Sequence, residues 1–166
     1  MNPEARDAIA TAFVRTGGAA EFEIVLQRLR SAPAEAEMHR LLGALTASPD
    51  PALVERVLSM VERRELLLGL VPSAIMGAAR NPEAREATWA WLQPNLDTLA
   101  ETFRGTGRTS DMLEAVIQRL GLGREAEVRE FFRNRTVTEG SQGIAKGLEL
   151  LAAGSAFRER LHLDPP

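Results

Sequence analysis

The chain has 166 residues, 45% of them hydrophobic and 26% charged, with a formal net charge of −3. That is enough for one globular domain burying roughly 70% of its extended-chain surface, and the composition is that of a globular rather than a disordered chain. Acidic and basic residues are interspersed, which argues against a nucleic-acid surface, and the absence of cysteine removes disulfides, thiolate metal sites and thiol catalysis together.

From the N-terminus onward, start and stop signals divide the chain into about nine or ten helices. The pentapeptide Asn-Pro-Glu-Ala-Arg occurs at 2–6 and again at 81–85. It reads each time as an Asn cap, Pro in the first helical position and Glu in the first turn. Gly17-Gly18 ends the first helix, SAPAEAE at 31–37 opens a later one, and Asp50 caps the next ahead of Pro51. Leu53, Val54, Val57, Leu58 and Val61 form one helical stripe. Met112, Leu113, Val116, Ile117 and Leu120 repeat that frame, and Ile144, Leu148 and Leu151 make a third stripe. Gly105-Thr106-Gly107 and Gly121 supply further stops. No segment alternates with period two, so the expected fold is all-α. Short connections imply antiparallel hairpins, over 3–30, 33–62 and about 70–103, stacked as a short HEAT/armadillo-like solenoid. No domain boundary is visible, so residues 1–166 are read as a single helical-repeat domain.

Both tryptophans, Trp89 and Trp91, fall in one predicted helix, two residues apart. Positions i and i+2 point about 200° apart, so the two rings cannot share a face. A helix buried on both sides by stacked repeats would make both core; an exposed ring would instead be a ligand platform. Pro94 is expected to kink this helix or to start a new one near Gln93.

Catalytic patterns are missing. His39 and His162 belong to no zinc-binding pair and there is no HExxH. Glu35/Glu37 and Glu125/Glu127 are spaced i, i+2 and do not converge, which reads as solvated helix faces. RGTGRTS (104–110) and GSQGIAKG (140–147) look superficially like phosphate loops, but no strand precedes either. Gly147 also stands where a P-loop needs Ser or Thr. No catalytic residue, metal ligand or cofactor site is therefore expected in this chain. Arg63, Arg64, Arg133 and Arg135 fall near predicted helix ends, where a cation opposes the macrodipole. The sharper alternative is that they contact a peptide, pairing with its carboxylate. No apolar run is long enough for a membrane span, and the N-terminus lacks the order of a secretory signal, so the expected setting is cytoplasmic with neither membrane nor nucleic acid as partner.

The segments RLLGALTASPDPALVERVLSMV, NPEAREATWAWLQPNLDTLAETF and GREAEVREFFRNR together resemble a known family. They are similar to the C-terminal helical domain of the aminopeptidase N family of zinc metallopeptidases. The residues that carry this are Asp50 and Leu53, then Asn81, Pro82, Arg85, Glu86, Trp89 and Trp91, then Asn95 and Leu99. Glu127, Val128, Phe131 and Phe132 match the later acidic helix, and Leu148, Glu149 and Arg160 the final one. The resemblance implies a HEAT/armadillo-like bowl that closes over a separate zinc-bearing catalytic domain and holds the distal part of a peptide. It carries over no catalytic residue, so its implied partners are that catalytic domain and a peptide substrate. A stand-alone HEAT-like protein–protein interaction scaffold is the alternative.

Overall fold

The structure is a computed structural model that describes residues 3–161. Among these residues nine α-helices follow one another: α1 (Pro3–Thr16), α2 (Ala19–Ser31), α3 (Glu35–Leu45), α4 (Pro51–Glu62), α5 (Val71–Arg80), α6 (Arg85–Thr102), α7 (Arg108–Leu120), α8 (Glu125–Arg133) and α9 (Ser141–Arg160). A single 3-10 turn, Leu68–Leu70, precedes α5, and there is no strand among the described residues. The all-α expectation and the hairpin limits are met closely. The cap expected at Asn2 and the tail residue His162 lie outside the described residues.

Local chemistry explains the helix limits. The Asp50 carboxylate accepts the Ala52 N–H at 2.9 Å with Pro51 in the first turn, as the sequence suggests. At the start of α2, the Gly18 N–H donates to Glu21 at 2.7 Å. Helix α4 closes with Glu65 N–H on the Met60 carbonyl and Arg64 N–H on that of Val61, a Schellman closure. The residue in its left-handed position is Arg64, at φ 56°.

The chain divides into two compact units, Met1–Trp91 and Leu92–Pro166. In the first, α1 packs on α2 and α3, α3 on α4 and α5, and α4 on α5. The predicted α4 stripe is buried in full, together with Phe22, Leu42, Leu45 and Ile75. Ion pairs sit on the rim: Arg40 with Asp7 at 3.1 Å, Arg28 with Glu37 at 2.6 Å, and Arg56 with Glu23. The Arg56 guanidinium also covers the Phe22 ring at 5.2 Å.

Asn81 departs from its expected role. It ends α5, and a turn over 82–84 intervenes before α6 begins at Arg85. Its side-chain amide donates to the carbonyls of Thr46 (2.9 Å) and Ser48 (2.7 Å), between α3 and α4. Its side-chain oxygen accepts Glu83 N–H at 3.1 Å, and that bond closes the turn where a helix cap had been expected. The α3–α4 and α5–α6 connections are thereby fastened to each other through one buried side chain. Gly77 makes this approach feasible, since a Cβ there would lie 2.3 Å from the Thr46 hydroxyl.

Helix α6 runs through Pro94 without a new start near Gln93. Proline removes one bond, to the Ala90 carbonyl, but Ala90 and Pro94 are both exposed, so water can replace it. Trp89 is buried at 3% exposure, whereas Trp91 is half-buried. The opposed rings are thus one core residue and one partly wet residue.

In the second unit α7 lies along α9, and α8 also packs on α9. The α7 stripe is buried as expected. The α9 stripe is not: Gly143, Gly147 and Leu151 are buried, and Ile144 and Leu148 flank them half-exposed. The reason is close backbone approach. A Cβ on Gly143 would lie 2.0 Å from the Ser110 carbonyl oxygen, and one on Gly147 3.0 Å from the Ile117 Cβ. The glycines of GSQGIAKG are the contact surface of a helix pair. Lys146, the one lysine of the chain, bridges the same pair to Glu114 at 2.8 Å.

Two outcomes are expected in urea denaturation. Asn81→Ala leaves two buried carbonyls without their donor and should cost about 2–4 kcal/mol, with Asn81→Asp no better because it cannot donate to them. Gly143→Ala should destabilise by more than about 1 kcal/mol through overpacking, whereas Gly43→Ala, in α3 with open space at its Cβ, should stabilise by up to about 1 kcal/mol.

Candidate functional site

All four candidate arginines stand at helix C-terminal ends. Arg63 is the C-cap of α4, and its Nε donates to Glu65 at 2.5 Å. Arg64 follows, exposed, in the left-handed conformation described above. Arg133 lies in the last turn of α8, paired with Glu130 at 2.6 Å. Arg135, two residues beyond, reaches Asp97 at 3.2 Å and lies 4.5 Å from the centre of the Phe131 ring. Arg63 and Arg64 belong to the first unit, Arg133 and Arg135 to the second.

The motif residues divide by burial. Asn81, Arg85, Trp89 and Phe132 are buried, Trp91 and Phe131 half-buried, and Pro82 and Glu86 exposed. Phe131 and Phe132 meet edge to face, with ring centres 5.0 Å apart. These positions shape the core and helix junctions. His39 is half-buried and joins α3 to α5 through a 2.8 Å hydrogen bond between its Nδ1 and the Ser73 hydroxyl.

A polar network around the α6–α7 connection was not foreseen. The Gly105 N–H donates to both Glu139 oxygens at 2.9 Å, and Glu139 itself is left-handed at φ 54°. Arg104 donates to Glu101 at 2.5–3.0 Å, and Thr138 donates to the same carboxylate at 3.3 Å. Hydrogen bonds from Arg104 hold the Glu101 carboxyl below its ordinary range, against some desolvation. Gly105 of RGTGRTS thus receives an internal carboxylate. Nothing in the local sequence signals this pairing, because its partners are 34 residues apart.

Chemically, these positions offer four cations, three of which already hold carboxylates, and a set of buried anchors. Among the described residues no group of three or more His, Asp or Glu side chains could hold a metal ion. No helix among them is long and apolar enough to cross a membrane.

The fold therefore defines a class: an all-α module of paired helices whose recognisable motif residues serve packing. The chain belongs to the ERAP1-like C-terminal domain family, whose model matches residues 1–153, and so to the C-terminal domains of M1 aminopeptidases. It is 31% identical over 158 residues to a leucyl aminopeptidase of Saccharolobus solfataricus, covering 95% of this chain and 20% of that protein. It is 26% identical over 169 residues to aminopeptidase M1-B of Oryza sativa subsp. japonica, covering 99% of this chain and 19% of that protein. Aminopeptidase M1 of Arabidopsis thaliana is 27% identical over 129 residues, covering 77% and 14% respectively. The chain thus spans about a fifth of the length of the first two relatives, and the domain normally belongs to a larger enzyme. The M1 family is zinc-dependent. Among the described residues the donors do not fit a zinc site: the His39 ring meets the Ser73 hydroxyl and the Glu35 carboxylate, and no group of three or more His, Asp or Glu side chains could hold a metal ion.

The Glu101 network carries a pH signature. A carboxyl held lower in the folded than in the unfolded chain adds stability that is complete above the unfolded glutamate value, about 4.3, and is lost as the pH falls through the folded value. Glu101→Gln should therefore lower the urea midpoint at neutral pH and flatten its acid limb, with the two proteins converging at low pH.

Proposed function

We propose that this chain is the non-catalytic C-terminal module of an aminopeptidase N-like zinc metallopeptidase, residues 1–166 acting as one unit. In that role it closes over the active site of a separate catalytic domain, which supplies the zinc, and holds the distal part of a peptide substrate. The observation that carries the reading is the family match over residues 1–153 in a chain about a fifth as long as the aminopeptidases it resembles. Closure of such a module gates catalysis by excluding water and positioning the peptide.

Arg63, Arg64, Arg133 and Arg135 are the proposed peptide contacts. Three of them hold exposed carboxylates, in pairs each worth roughly 0.2–1 kcal/mol. A peptide's terminal carboxylate, able to take a guanidinium bidentately, displaces such a partner at small cost. Arg64 gives further support. A left-handed non-glycine residue costs about 1–2 kcal/mol, and such strain is concentrated at functional positions.

The native polypeptide is sized first, by immunoblot in the source cells. A band several times larger than 18.1 kDa is expected; a band at 18.1 kDa with no associated peptidase would replace this reading with a free interaction scaffold. The second expectation concerns Arg64→Gly. It should raise urea stability by about 1 kcal/mol while weakening binding of a free-acid peptide relative to its C-terminal amide. Equal binding of acid and amide by the unsubstituted protein would remove the arginines from the proposal.

A further inference from the structure

Three of the four candidate arginines hold a carboxylate, but they do not hold it alike. Arg63 takes Glu65 and Arg133 takes Glu130, neighbours two and three residues along the chain. Arg135 instead takes Asp97 on α6, 38 residues away, so the fold brings that pair together. Its guanidinium also lies 4.5 Å from the centre of the Phe131 ring, and the buried Phe132 braces that ring edge to face. The Arg135 side chain is accordingly 33% exposed, against 58% for Arg63 and 65% for Arg133.

This arrangement fixes the guanidinium without using it up. A guanidinium offers five N–H donors in a planar fork that matches a carboxylate bidentately. The one hydrogen bond to Asp97 runs from Nη1 to Oδ2 at 3.2 Å, longer than a charge-assisted bond ordinarily is. Asp97 is itself 71% exposed, so water competes for it and the pair is weak. A side chain already stacked on a ring loses little further freedom when a ligand docks on it. Asp97 thus keeps Arg135 posed and, at the same time, holds the charge that an anionic ligand needs.

We propose that Asp97 is a built-in competitor at Arg135: it occupies the guanidinium in the unliganded protein and yields it to the terminal carboxylate of a peptide. This rests on reading the candidate arginines as peptide contacts, and it adds a regulator to one of them. Whatever weakens the Asp97 bond strengthens the peptide contact. The gain is bounded by the worth of one exposed pair, about twofold to fivefold in affinity.

The test uses the native polypeptide that carries this chain, purified from its own cells with each substitution made in the gene. The probe is a short peptide of Ala, Ser and Leu, acetylated at its N-terminus against hydrolysis and made both as free acid and as C-terminal amide. Asp97→Asn should tighten the free acid about twofold to fivefold and leave the amide unchanged. Asp97→Ala, which also suits a helix, should do the same. In an Arg135→Gln background the Asp97→Asn gain should vanish, which a general loss of negative charge would not cause. Glu159→Gln removes an exposed carboxylate from α9 as the charge-matched control and should move neither peptide. Melting midpoints confirm that each variant is folded. A gain shared by the amide, matched by Glu159→Gln or surviving in the Arg135→Gln background overturns the proposal. If the unsubstituted protein binds acid and amide equally, the arginine reading fails and the competitor with it. A preference for the acid that neither Asp97 variant changes removes the competitor alone.

Discussion

The first unit depends on one buried amide. Asn81 sits where two helix connections meet, and a carboxamide is the side chain that can donate twice to backbone carbonyls while accepting from a third backbone group. Thr46 and Ser48 lie in a connection that is buried, so their carbonyls have no water to turn to. Aspartate has the size but not the donors, and leucine would leave both carbonyls stranded. Close approach through Gly77 and the Asp50 cap a few residues away are arranged around the same point. The sequence element Asn-Pro-Glu-Ala-Arg, which looks like a helix start, functions here as a junction.

That difference shows what a sequence reveals and what it conceals. Helix identity was legible because burial of a stripe is periodic: the α4 and α7 stripes are buried residue for residue. Helix limits were legible wherever the capping group is local, as at Asp50 and Gly18. Asn81 was misplaced because its decisive partners lie 33 and 35 residues away and a local pattern cannot name them. The α9 stripe was misread for a related reason. Hydrophobic pattern scores side chains, whereas α9 is buried along Gly143 and Gly147 as well as Leu151. Of the candidate site, the helix-end placement of the four arginines was legible, and the partner of Arg135 was not: Asp97 lies 38 residues away.

Two kinds of motif residue emerge from these contrasts. Asn81, Arg85, Trp89 and Phe132 are buried and act on the fold. Arg63, Arg133 and Arg135 lie at least partly exposed and hold carboxylates in weak pairs, a condition suited to exchange. In the role proposed above, such weak pairs give way to the anionic end of a peptide. That is the division of labour expected of a module serving a catalytic domain elsewhere in a polypeptide.

Lys146 has a practical corollary. The chain has 20 basic side chains but only one primary amine among them, and that amine is tied across the α7–α9 seam to Glu114. Its hydrogen bond to Glu114 raises its pKa, so at neutral pH its free-base form is scarcer than in an ordinary lysine. Side-chain acylating reagents, enzymatic or synthetic, therefore find this surface almost mute. Any that do react will report on the clasp between two helices, and the arginine-rich remainder will stay invisible to them.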